Sequence, residues 1–258
     1  MSISAIDTGS VTPENDPHYA DRVDLAAALR MAARLNWHEG VANHFSYAVS
    51  DDGAQFLINP FGRHFSTIRA SDLLLLDAHD ESSIDGPNRP DPTAWAIHGA
   101  MHRNLPQARC VLHTHSKYAT VLASVECDGL PPIDQNTMRF FNRVSIDGGF
   151  DGMGLGDEAE RLTTTLGNNS ILLMGNHGVM AVGESVGRAF DNLYYFERAC
   201  ETYVTALMTG KPLRVVSDEV AEKTAQQWED YVQRVGLGDA FFDEIRVILE
   251  RDEPDYRL

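Results

Sequence analysis

The segment "CVLHTHSKYAT", residues 110–120, carries two histidines one residue apart. In a strand, side chains alternate faces, so His113 and His115 point the same way, roughly 6–7 Å apart along the chain. Two imidazoles at that spacing can share one ion through nitrogen–metal bonds of about 2.0–2.1 Å. The same alternation turns Cys110, Leu112 and Thr114 to the opposite face, which argues against Cys110 as a ligand. Alone, the pair also reads as two polar residues on an edge strand, and a metal centre needs a third donor. His177 in "MGNHGVM" is the best candidate. It lies between two glycines at a tight turn between apolar strands, where backbone can approach another segment closely. Its competing role is a turn residue held by its own backbone contacts.

The elements that must position these residues follow from periodicity. "DRVDLAAALRMAARLNW", from Asp21 to Trp37, places Leu25, Leu29, Ala32 and Leu35 at helical spacing. "HFSYAV", "SDDG" and "AQFLIN" predict a hairpin turned by Asp52-Gly53. "LLLLD", residues 73–77, predicts a short buried strand. Asp91 caps and Pro92 opens a helix to about Arg103. "RCVLHTH" is a strand, and Ser116 is placed to cap the helix "KYATVLAS". "GDEAERLTTTLG" predicts a helix ended by Gly167. "SILLM", "GNHG" and "VMAVG" read as strand, turn, strand. A long helix spans Glu184 to Met208, and two more follow. The expected fold is a three-layer α/β/α sandwich with a central mixed, largely antiparallel sheet. Residues 1–18 are polar and predicted to be a flexible arm. Residues 19–258 form one domain with a helical C-terminal extension over about 211–258.

At 258 residues and 43% hydrophobic, the chain has material for one large core. Its 38 acidic and 21 basic residues give a net charge of −17. That balance argues against nucleic acid or an anionic membrane as a partner, since both are bound by clustered Lys and Arg. It leaves room for a small anionic substrate in a locally basic pocket. Cys110, Cys127 and Cys200 show no CxxC spacing, the first residues show no secretory pattern, and no apolar run has membrane-spanning length. A soluble, cytoplasmic protein is expected.

The order of "NHFSYAV", "FLINPFGRHFSTIRASDLLLLD", "PTAWAIHGAMH", "CVLHTHSKYATVLAS" and "LLMGNHGVMAVGESVGRAF" resembles the class II aldolase/adducin family over roughly residues 20–210. In enzymes of this family, such as L-fuculose-1-phosphate aldolase, the HxH histidines and the histidine of the later HG turn bind a catalytic zinc. The resemblance thus implies His113, His115 and His177 as ligands to one divalent metal per subunit, zinc first, with manganese or Fe(II) as alternatives. It further implies Lewis-acid chemistry on a substrate carbonyl and hydroxyl through a stabilised enediolate. A homo-oligomer, a tetramer in the family pattern, is implied on the same basis.

The sequence also departs from that pattern. Family aldolases carry an acid/base glutamate in the helix before the HxH strand, where this chain has Ala94. His98 lies one turn later on the same face. It is a candidate acid/base, a stand-in ligand, or a core histidine fixing the helix. Where the sugar-phosphate aldolases hold phosphate, this chain has His44 and Ser46, Phe61 and Gly62, and Pro92 and Thr93. Pro92 removes a donor. His44, Ser46, Phe61, Gly62 and Thr93 are therefore expected to line a site for a small, non-phosphorylated acid, with Arg63, His64 or Arg139 as carboxylate partners or as solvated or interface residues. The expected activity is a metal-dependent lyase cleaving C–C bonds by decarboxylation or retro-aldol reaction. The alternatives are a non-catalytic adducin-like interaction module and an Fe(II)-dependent oxygenase.

Overall fold

A computed structural model describes residue 12 and residues 15–86, 88–150, 152 and 157–258. Most of the expected arm over residues 1–18 lies outside the described residues. Among those residues the fold is a seven-stranded sheet between two helical layers. Helix α1 (Tyr19–Arg34) leads into strands β1 (His44–Ala48), β2 (Gln55–Ile58) and β3 (Leu74–Asp77). Then come helix α2 (Pro92–Asn104), β4 (Cys110–Thr114), α3 (Lys117–Ala123), α4 (Gln135–Arg139) and β5 (Val144–Asp147). The chain continues through α5 (Glu158–Leu166), β6 (Ile171–Met174), β7 (Gly178–Gly183), α6 (Val186–Met208), α7 (Asp218–Val235) and α8 (Leu237–Asp252).

The spatial order is β3-β2-β1-β4-β7-β6-β5. Every pairing is antiparallel except β5 with β6. Alternation along β4 divides the core. Cys110 and Leu112 join the large cluster with α1, α3, α6 and α8, whereas Val111 faces the cluster under α2 and α5. His113 shares the face of Val111, because residues two apart in a strand point the same way.

Three local expectations are corrected. "LLLLD" forms the edge strand β3, not a buried one, and Leu75 there is 45% exposed. Ser116 precedes α3 but makes no side-chain cap; its hydroxyl donates to Glu197 Oε2 at 2.7 Å. The cap comes from α6, where Glu197 accepts from the backbone N–H of Tyr118 at 2.8 Å and Ala119 at 2.9 Å. A buried carboxylate thus occupies the positive end of α3, directly after the HxH segment. Finally, α4 and β5 were not anticipated. The strand β5 is four residues long, and it pairs in parallel with β6 only because α5 provides the crossover.

Candidate metal centre

Two elements bring the three histidines together. His113 sits in β4 at 3% exposure, with His115 just past the strand's end. His177 comes from the turn joining β6 to β7, and β7 pairs with β4 so that His113 opposes Met180. Asn176 takes a left-handed φ of 57°, and the His177 N–H donates to the Met174 carbonyl at 3.0 Å. The ring centroids lie 5.1 Å (His113–His115), 4.8 Å (His113–His177) and 5.0 Å (His115–His177) apart. One nitrogen from each ring falls within 4.8 Å of the others.

These donors fit a divalent metal. A carbonyl only accepts, so the 3.1 Å contact of His113 Nδ1 with the Val179 carbonyl fixes the proton on Nδ1 and leaves Nε2 as a lone pair. His115 Nε2 and His177 Nδ1 are buried with no hydrogen-bond partner among the described residues. Orphaned buried nitrogens are costly, and a bound cation removes that cost. Burial also keeps the rings neutral, as ligation requires. It lowers His113 well below the ordinary imidazole range, lowers His115, and pushes His177 down to about 4. His115 and His177 are only partly buried, so one side of the centre stays open. Asn43 steadies the other side, its Oδ1 accepting from the His115 N–H at 3.3 Å and the Glu39 N–H at 2.7 Å. Glu39 Oε2 lies 4.0 Å from His115 Nδ1.

The glycines of the turn are required by close approach. A Cβ on Gly178 would stand 2.6 Å from the Thr114 carbonyl oxygen and 2.9 Å from His115 Cδ2. A Cβ on Gly175 would stand 2.8 Å from the Asp147 carbonyl oxygen. We predict that Gly178→Ala pushes the His177 turn away from the end of β4 and weakens zinc binding by about 10–100-fold, the range for lost ligand support. Titration with a competing chelator measures it. Wild-type affinity in the folded variant contradicts the prediction.

Beside the centre, His44 in β1 lies directly opposite His113, with ring centroids 4.8 Å apart. His44 Nδ1 contacts His98 Nε2 at 2.7 Å, and Ser46 Oγ bonds both His98 Nδ1 and, at 2.7 Å, His102 Nε2. His102 Nδ1 donates to the Ala108 carbonyl at 2.6 Å. Periodicity alone does not single out His102, although its spacing four residues after His98 on one helix face is a usable signal.

The expected roles change accordingly. His98 is fully buried with both ring nitrogens engaged inside the protein, which leaves neither for a substrate. Ser46 is likewise fully buried and committed to histidines. The Thr93 hydroxyl donates to Asp91 Oδ1 at 2.6 Å as part of the α2 cap. Phe61 (51% exposed) and Gly62 (φ 75°) stand on the exposed turn after β2. Arg63 pairs with Asp72 at 3.1 Å, and His64 accepts from the Ser66 N–H as a helix cap. Arg139 is buried against Asp191 and the Tyr195 ring between α4 and α6. Ala94 is fully buried with Phe56, Ile58 and Leu76.

Burial pushes His102 down to about 4 from an ordinary value of 6.5. Below about pH 6.5 the unfolded chain therefore takes up a proton that the folded protein refuses until about pH 4. The stability carried by the neutral ring is whole above that window and lost as pH falls through it, by about 2 kcal/mol at pH 5. Urea unfolding of metal-free protein at neutral and mildly acid pH is expected to show the lower midpoint in acid. A pH-independent midpoint contradicts this.

Residues 23–204 match the family described as Class II Aldolase and Adducin N-terminal domain. A putative aldolase class 2 protein of Pseudomonas aeruginosa is 35% identical over 193 residues, covering 74% of this chain and 73% of that protein. The decarboxylase NovR of Streptomyces niveus is 30% identical over 204 residues, covering 78% of this chain and 73% of NovR. The crystal structure of an aldolase II superfamily protein from Pseudomonas syringae is similar with a TM-score of 0.84 at 32% identity, covering 96% of this chain and 98% of that one.

Proposed function

The chain belongs to the class II aldolase and adducin N-terminal domain family, and from that membership and its histidine centre we propose a divalent-metal-dependent carbon–carbon lyase. Its substrate in this reading is a small, non-phosphorylated hydroxy or keto acid, cleaved by decarboxylation or, second, by retro-aldol reaction. The observation that carries the proposal is the convergence of three neutral imidazoles, two with buried nitrogens that have no described hydrogen-bond partner. A bound zinc, manganese or Fe(II) ion supplies Lewis-acid polarisation of substrate oxygens.

The chain's own residues favour decarboxylation. Ala94 offers a methyl group in an apolar cluster, so no carboxylate base stands at that place on α2. Losing CO2 asks for an oriented carboxylate and an electron sink, not for a base to take a proton from carbon. NovR, named a decarboxylase, supports the same choice. A non-phosphorylated substrate is supported by bonds already made at the matching positions: the Thr93 hydroxyl donates to Asp91 and Arg63 pairs with Asp72. Phe61 and Gly62, on the exposed turn after β2, are assigned in this reading to the less polar end of an organic acid. No described helix is long and apolar enough to cross a membrane. A homo-oligomer, with the tetramer of the family pattern, in the cytoplasm completes the proposal.

Elemental analysis followed by anaerobic CO2 assays over a panel of small hydroxy and keto acids tests this reading. Near-stoichiometric metal together with CO2 release is the expected result. Oxygen consumption required for turnover would point instead to an oxygenase, and failure to retain any divalent metal to a non-catalytic module.

A further inference from the structure

The hydrogen bonds behind His44 have only one consistent direction. The Ala108 carbonyl can only accept, so His102 Nδ1 carries a proton. Burial holds His102 neutral, pushing it down to about 4, so its Nε2 is an acceptor and takes the single proton of Ser46. With that proton spent, Ser46 Oγ can only accept from His98 Nδ1. His98 is fully buried, which holds it neutral as well and makes its Nε2 an acceptor for His44 Nδ1–H. One backbone carbonyl thus sets the tautomers of three histidines in succession.

We propose that Ala108, His102, Ser46 and His98 form a positioning relay that holds His44 as its Nδ1–H tautomer, with the Nε2 lone pair presented beside the three-histidine centre to accept a hydrogen bond from a substrate hydroxyl. The relay spans the α2 face of the sheet: His98 and His102 from α2, Ser46 and His44 from β1. His44 itself is 7% exposed and opposes His113, so it is the end of the relay nearest the candidate ligands. The inference rests on the lyase reading for the identity of its ligand, a hydroxy acid, but the tautomer pattern stands without it. It also gives a use to two residues whose expected roles did not hold. His98 and Ser46 are positioning residues, and His44 is the group that meets substrate.

Long-range 1H–15N correlation spectra of the metal-free full chain, labelled at histidine, read the tautomers directly. His44, His98 and His102 are each expected as Nδ1–H, the form that isolated histidine disfavours in water. An Nε2–H signal for His44 in the unmodified protein overturns the relay without any variant. Ser46→Ala removes both the acceptor for His98 and the donor to His102, and His44 is expected to lose its single tautomer; an unchanged His44 pattern overturns the proposal. The second arm compares glycolate with acetate, which lacks the hydroxyl, on the zinc-loaded chain. Glycolate is expected to bind more tightly, and His44→Phe to reduce that preference about tenfold. An unchanged preference removes His44 as the acceptor. Failure of the unmodified chain to bind zinc, manganese or Fe(II) defeats the lyase reading, while the tautomer result still decides the relay.

Discussion

His113→Ala is expected to yield a folded protein that no longer retains zinc and has lost its activity. Of the three candidate ligands His113 is the most firmly held, fixed by its strand and by the bond from Nδ1 to the Val179 carbonyl. If the roughly 10–16 kcal/mol seen for four-ligand structural zinc is shared among its donors, one ligand is worth about 3 kcal/mol. Affinity should then fall by at least about two orders of magnitude. His115 and His177 alone leave the ion with two protein donors, too few to hold and orient it in a site that also admits solvent. The measurement is metal content after dialysis, paired with the thermal shift produced by added zinc. Unmodified protein should gain stability from zinc, and His113→Ala should gain none. Full metal retention by the folded variant would remove the three-histidine centre from consideration. Loss of activity with metal retained would leave His113 a role in substrate handling only.

The second large effect falls on a buried ion pair that is not part of the histidine centre. Asp191 is fully buried and pairs with Arg139, itself only 7% exposed. The guanidinium lies over the rings of Tyr195, at 4.7 Å, and Trp228, at 5.6 Å, and so joins α4 to α6 and α7. Asp191→Ala strands that cation in a place with little water. Breaking a buried pair from one side typically costs about 3–5 kcal/mol, a large part of the about 5–15 kcal/mol that keeps a domain folded. A marked drop in the urea midpoint is expected. The double variant Arg139→Met with Asp191→Leu should recover much of the loss, since apolar groups of similar size often replace a buried pair at little cost. If Asp191→Ala is as stable as the unmodified protein, the pair is not a buried anchor.

Much of the scaffold was legible because its signals are local. The spacing of Leu25, Leu29 and Ala32 marks α1, Asp91-Pro92 marks the start of α2, and Asp52-Gly53 marks the hairpin whose turn places Gly53 at φ 70°. Glycines around His177 marked a close approach, and Gly178 against the Thr114 carbonyl is that approach. The strand β5 is not legible in the sequence because four residues at a sheet edge carry little periodicity of their own. Local order points to Ser116 as the cap of α3, whereas Glu197 performs it from 78 and 79 residues away. The family resemblance assigns Ser46 and Thr93 to the substrate by position alone, and only the packing reveals that both hydroxyls are already engaged.

The residue types available for chemistry can thus be read along the chain: an HxH pair on one strand face, a histidine in a glycine turn, and no carboxylate at position 94. Strand alternation and turn stereochemistry act over a few residues, so they are written in local order. Which of the remaining polar groups stay free depends instead on how the folded chain packs. Hydrogen-bond capacity is finite, and its allocation depends on partners brought together by the β1–β4 pairing and the packing of α2 on the sheet. That allocation spends His98, His102 and Ser46 on one another and leaves His44, beside His113, as the end of their chain.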